Sequence, residues 1–290
     1  MGKAERNRSQ SARERIAAQQ AAARKAEARR RMLLAGGGVL VVVAIVLAIV
    51  LVKVLSKPAP SHPSAAGGTP LPAGVQTNIA TVPASTLTSV GAGSASASAI
   101  KPVTGPALTS GGKPEMLYIG AEWCPYCAAM RWAMATALSR FGTFSPLNGV
   151  HSSASDVYPN TATLTFYKST FTSKYLVFAP VENQDVNRNL LQNPTSAQQA
   201  LWTKYAPPGN SYPFIDVGNR YIFGVTFNPQ VLQGLSWSQI GSAMHSPSSA
   251  VAKGAVGSAN LFTAAICKIT GNAPASVCTA APVAALEGHL

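Results

Sequence analysis

Hydrophobic and polar positions divide the chain into contrasting stretches. From Ser9 to Arg31, Ala, Gln and Arg give helical propensity without a wide apolar stripe, which predicts a solvated helix. Met32 to Val52, MLLAGGGVLVVVAIVLAIVLV, is an unbroken run of 21 residues with no charge or strongly polar side chain. At about 1.5 Å per residue such a helix is about 31 Å long, which matches the hydrocarbon core of a bilayer. Residues 53–112 are dominated by Pro, Ser, Ala, Gly and Thr (KPAPSHPSAAGGTPLPAG, GAGSASASA), without sustained periodicity, and predict a disordered linker. Within it LPAGVQTNIATVPASTLTSVG is less polar and is a candidate for packing on the domain, so the boundary near residue 105 stays open.

Regular patterning begins with Met116–Gly120, a short apolar run that suits a buried strand. After AEWCPYC, the residues Cys127, Met130, Met134, Leu138 and Phe141 recur at helical spacing, with Arg140 in the last turn and Gly142 as the stop. Thr161–Tyr167 and Tyr175–Ala179 read as strands. A helix is predicted from Asn193-Pro194, with Asn193 as cap, Leu201 and Trp202 on its buried face and Pro207-Pro208-Gly209 at its end. Phe214–Val217 and Arg220–Phe223 form a hairpin about Gly218-Asn219, and Ser236-Trp237-Ser238-Gln239 opens a capped helix.

The net charge of +13 is uneven: residues 1–31 hold ten Lys/Arg and three Asp/Glu. This tail has no aromatic residue for stacking on a base, so its basicity points to anionic lipid rather than nucleic acid. Positive charge before the apolar run places residues 1–31 in the cytoplasm, makes 32–52 a transmembrane helix in contact with membrane lipid, and puts 113–290 outside the cytoplasm. A cleaved signal peptide fits less well, because KVLSKPAP offers no small-residue cleavage site.

Four cysteines allow two pairs. Cys124 and Cys127, spaced i and i+3 at a helix start, can close a small disulfide ring, and the free amides and dipole there stabilise a thiolate. Cys124 is then the exposed nucleophile and Cys127 the resolving thiol, with Pro125 in the first turn where its missing N–H costs nothing. Cys267 and Cys278 lack that spacing. In an oxidising compartment they read as a structural disulfide worth about 3 kcal/mol, with a second redox pair as the alternative. Their ten-residue gap is no typical zinc half-site, Ala128 replaces the His of a haem attachment motif, and His62, His151, His245 and His289 are scattered, so no metal or cofactor is expected.

The segment AEWCPYC resembles the active-site segment of thioredoxin-like oxidoreductases, joining a thioredoxin-type AEWC to a glutaredoxin-type Cys-Pro-Tyr-Cys core. SYPFIDVGNRYIFG resembles their second site segment. That resemblance implies a cis-proline at Pro213 facing the cysteine pair, Tyr212 pairing its backbone with an extended substrate, and Trp123, Pro125 and Tyr126 around that substrate. It also implies that one of the two intervening strands runs parallel to the first and that the helix after the hairpin covers the sheet. Thioredoxin carries a buried Asp six residues before its first cysteine; Tyr118 stands here, so the Cys127 proton needs another acceptor. The long stretch between Cys127 and Pro213 implies an insertion. The layout of basic tail, span, spacer and enlarged domain also resembles a prokaryotic family catalogued as domain of unknown function 929, from about residue 110 onward.

The expected fold is therefore α/β: thioredoxin-like, with a helical and strand insertion and a C-terminal helical extension. The expected function is membrane-anchored, extracytoplasmic thiol–disulfide exchange on protein cysteines, served by a redox partner that the sequence does not name. The alternative is a redox-inactive binding or assembly module with a structural Cys124–Cys127 bridge. A thiol-based copper or haem chaperone is a third reading.

Overall fold

The computed structural model describes Lys25 and residues 67–206, 211–288 and 290. The chain divides into two compact units, residues 1–60 and 61–290, and every element below belongs to the second. The predicted span 32–52 lies outside the described residues, as does the tail apart from Lys25. Among the described residues no helix is long and apolar enough to cross a membrane.

Order starts well before the expected boundary. Strand β1 (Thr69–Pro70) and helices α1 (Val75–Ala80) and α2 (Ala84–Val90) precede β2 (Ile100–Pro102) and β3 (Thr109–Ser110). The apolar spacing of Val75, Ile79, Leu87 and Val90, diluted in sequence by Ser, Thr and Ala, carries these side chains into the main core. Residues 67–112 are thus part of the fold and not linker; the predicted linker fails over this stretch because low-complexity composition hid a short amphipathic pattern.

Strand β4 (Lys113–Ala121) is the axis of the larger sheet, and helix α3 (Pro125–Leu138) follows it directly. Strand β5 (Gly142–Ser145) pairs antiparallel with β8 (Thr170–Ser173), and between them in the chain lies the hairpin of β6 (Asn148–His151) and β7 (Ala162–Thr165), onto whose β6 strand β1 pairs. Strand β9 (Val177–Gln184) runs parallel to β4, with Ile119 opposite Val181 and Gly120 opposite Glu182, and the register slips between Gly120 and Ala121. Helix α4 (Ser196–Tyr205) comes next, then β10 (Phe214–Val217) and β11 (Tyr221–Phe223). β10 lies antiparallel to β4 on its other side, pairing Phe214 with Ile119, and β11 and β2 extend the sheet beyond it.

Period-two alternation along β4 assigns its faces. Met116 and Tyr118 join the main core with α3 and with α6 (Gly257–Ile269). Leu117 and Ile119 turn to the opposite face, against Val181, Phe214, Ile222 and Trp202 of α4. The fold is mixed α/β, with eight α-helices among the described residues.

Three local expectations shift. α3 ends at Leu138, so Arg140 lies beyond it and Gly142 opens β5 instead of stopping the helix. α4 is capped by Thr195, whose hydroxyl receives the Gln198 N–H in a reciprocal capping box, so Asn193 and Pro194 precede the cap. Ser236 does cap α5 (Trp237–Ala243), but that helix packs on α1, and its Trp237 Nε1 donates to Thr163 O at 2.6 Å on the smaller sheet. The main-core face of the larger sheet is covered by α3 and α6.

The C-terminal extension α7 (Ala275–Cys278) and α8 (Ala281–Glu287) packs on α6. From α6, Asn260 Nδ2 donates to Leu87 O at 2.9 Å, beside the Gly91 N–H that the same carbonyl receives at 3.0 Å, and to Gly91 O at 2.8 Å just past the end of α2.

Candidate functional site

The site is built where β4 hands over to α3. Cys124 is the N-cap of α3 in extended conformation, and its Sγ receives the backbone N–H of Cys127 at 3.3 Å. Pro125 occupies the first turn, where it breaks no helical bond. Both cysteines are free thiols.

Their environments divide them. Hydrogen bonds from the Cys127 thiol and its N–H, together with the Arg131 charge, hold the Cys124 thiol below its ordinary pKa against the opposing effect of burial. Burial, and the neighbouring Cys124, push the Cys127 thiol well above its ordinary value. One sulfur is thus disposed to ionise while the other keeps its proton.

Exposure differs from expectation. Cys124 is only 3% exposed, because Trp123 and Tyr212 pack against the cysteines and cover the sulfur that the sequence suggested was exposed. It nevertheless lines a cleft of about 430 Å³ with Trp123, Pro125, Tyr126, Asp156, Ser211 and Tyr212. Four of the expected substrate-contact residues are therefore together around the nucleophile. The Tyr212–Pro213 bond is cis. Pro213 lines an adjoining cleft of about 230 Å³ that shares Ser211 and Tyr212 with the first. The Tyr212 hydroxyl donates to Asn183 Oδ1, and burial with the two cysteines nearby raises its pKa to about 12.

Behind the pair sits a buried charge cluster that sequence reasoning missed. Arg131, one turn beyond Cys127 on α3, donates through Nε and Nη2 to Glu182 of β9 at 2.8 and 2.7 Å, and both side chains are fully buried. Arg131 Nη1 and the Tyr118 hydroxyl have no hydrogen-bond partner among the described residues. Glu122, two residues before Cys124, is fully buried with neither oxygen bonded, and burial raises its carboxyl to about 7. The available signal was a lone Arg inside an otherwise apolar helix and a lone Glu beside the first cysteine.

Cys267 and Cys278 form a disulfide, with Cα atoms 5.6 Å apart, joining α6 to α7. Among the described residues no cluster of three or more His, Cys, Asp or Glu is gathered that could hold a metal ion.

With this geometry in view, residues 101–268 match the family described as Domain of unknown function (DUF929), which is more than half of the chain. The chain belongs to that family. The matched stretch runs from β2 into α6, begins somewhat earlier than the sequence layout suggested, and contains Cys124, Cys127, Glu182 and Pro213. No curated protein and no solved structure matches the chain.

Proposed function

We propose that this domain is a thioredoxin-like thiol–disulfide oxidoreductase that acts on protein cysteines. The observation that carries the reading is the asymmetry of the pair: Cys124 caps α3 and opens on a cleft with a favoured thiolate, while Cys127 lies fully buried one turn inside. The parallel β4–β9 pair, the antiparallel β4–β10–β11 run and the helix springing from the cysteine pair support the fold assignment.

In the reducing direction the Cys124 thiolate attacks one sulfur of a partner disulfide. A mixed disulfide forms and the other partner sulfur leaves as thiolate, which takes up a proton. Cys127 then gives up its proton and attacks Cys124 Sγ, which releases the first partner sulfur and closes Cys124–Cys127. Two electrons pass from the pair to the partner, and a dithiol reductant restores the pair. The reverse order oxidises a partner dithiol.

Membrane anchorage through residues 32–52 and an extracytoplasmic domain complete the proposal. They rest on the apolar run, the charge asymmetry before it and the Cys267–Cys278 bridge, a type of bond that persists in oxidising compartments. A second reading, a binding module without turnover, is favoured by the 3% exposure of Cys124.

A redox titration of the full chain in thiol–disulfide buffers, read by alkylation and mass spectrometry of Cys124 and Cys127, separates the two. A reversible transition between about −120 and −270 mV is expected for an exchange catalyst. A pair that stays unreactive toward both oxidant and alkylating agent leaves the binding module as the better account.

A further inference from the structure

A loop of unusual construction stands over the residue that precedes the nucleophile. Asp185, buried at the end of β9, receives the N–H groups of Asn187 and Asn189 at 2.8 Å on Oδ1 and Asn189 Nδ2 at 3.0 Å on Oδ2. This turn holds Arg188 at φ 69°, with its N–H on Asp185 O at 3.1 Å, and lays its guanidinium 3.7 Å from the centre of the Trp123 ring. The same loop takes the edge of the indole, since Trp123 Nε1 donates to Gln184 Oε1 at 2.9 Å. A guanidinium stacked flat on an aromatic face keeps its N–H edges free for an anion. Arg188 is exposed and makes no side-chain hydrogen bond or ion pair to the described residues.

The described domain as a whole has the matching bias. Of the seven acidic residues in 67–290, Glu122, Glu182, Asp185 and Asp216 are buried and the other three half-buried; of eleven Lys and Arg, only Arg131 is buried. Asp156, the one acid lining the cysteine cleft among the described residues, receives the Val157 N–H at 2.7 Å. Lys101 lines the adjoining cleft. Among the described residues, the large apolar side chains left exposed are Tyr126 beside the nucleophile, Val157 next to Asp156, and Leu190 in the Arg188 loop. Cation, exposed Tyr126 and two adjoining clefts together suit a chain segment rather than a small thiol.

We propose that Arg188 is a specificity-determining residue: the face around Cys124 takes an extended segment of a partner protein that carries a carboxylate side chain beside its redox-active cysteine. This rests on the exchange reading above. It is tested with the reduced full-length chain in detergent at low salt against three probes: the neutral bis(2-hydroxyethyl) disulfide, and two disulfide-linked peptides that differ only in Asp or Lys beside the cysteine. The rate of Cys124 thiol loss is read by quenched alkylation and mass spectrometry.

The acidic peptide is expected to react about tenfold faster than the basic one, a ratio that shrinks at high salt. R188Q is expected to bring the ratio toward one, and R188E to invert it. Equal peptide rates alongside a reacting neutral disulfide overturn this inference and leave the exchange reading standing. A ratio that R188E leaves untouched also overturns it, since the bias would then belong to the overall charge. Failure of all three disulfides to react removes the exchange reading and this inference together.

Discussion

Arg131 and Glu182 join the cysteine helix to the parallel strand through two charge-assisted hydrogen bonds, with neither side chain reaching solvent. The charges are retained inside a core that apolar residues of similar volume could fill. Breaking such a pair from one side strands an uncompensated charge, which typically costs about 3–5 kcal/mol. Glu182→Gln is therefore expected to lower unfolding stability by about that amount in urea, whereas the double variant Arg131→Met with Glu182→Leu loses much less. Equal losses in single and double variants would show that the pair contributes as an attraction and not through its desolvation.

The disposition of the two thiols makes a separate prediction. Hydrogen bonding from Cys127 is the largest influence holding Cys124 below its ordinary pKa, so removing that thiol in Cys127→Ala should move the Cys124 titration upward. The expected readout is slower alkylation of Cys124 at pH 7 and a rate profile displaced to higher pH, each tenfold fall in thiolate corresponding to about 1.4 kcal/mol. An unmoved profile would assign the effect to the helix terminus and Arg131.

Two buried carboxyls set a pH dependence of stability opposite to acid denaturation. Burial raises Glu122 to about 7 and Asp216 to about 6, against about 4.3 and 3.9 in an unfolded chain. The folded state binds more protons on these two groups across this window, so their contribution to stability is greatest below about pH 4, falls as pH rises, and levels off above about pH 7. For Glu122 the change is on the order of 3 kcal/mol. Calorimetry is expected to give a higher Tm at pH 5 than at pH 7.5, and Glu122→Gln to flatten the upper part of the slope. A Tm that climbs between pH 5 and 7.5 in the unaltered chain would sink the argument.

The Cys267–Cys278 bridge should act on stability and leave the reactive pair alone. Replacing both residues by Ala releases a loop whose closure is worth about 3 kcal/mol in the chain-entropy account. The midpoint of urea unfolding is expected to fall, while the titration midpoint of Cys124–Cys127 stays where it is. A shifted redox midpoint would make the second pair a relay.

Those parts of the molecule governed by local pattern were readable from the sequence. The β4 strand, the α3 start at Pro125, the Gly218-Asn219 hairpin and the Ser236 capping box each follow from a few adjacent residues. The grouping of Trp123, Cys124, Pro125 and Tyr126 with the distant Tyr212 in one cleft followed instead from the resemblance. What escaped depends on neighbours distant in the chain. Arg131 looks like a surface charge until β9 supplies Glu182, and Arg188 looks like loop decoration until Asp185 folds its turn against Trp123. Val75 and Ile79 looked too dilute to define a core because the surfaces they meet come from far downstream.

That last separation orders events in time. The hydrogen bonds that finish α2 come from Asn260, some 170 residues later in the chain, and β1 pairs with Gly149 and Asn148 of β6. Residues 67–99 are made early, yet β6 follows well after them and Asn260 much later still. Contacts so distant in sequence close late, after local helices and hairpins have formed. The first piece of the domain to be made thus waits for chain made far later before Val75, Ile79, Leu87 and Val90 find the rest of their core.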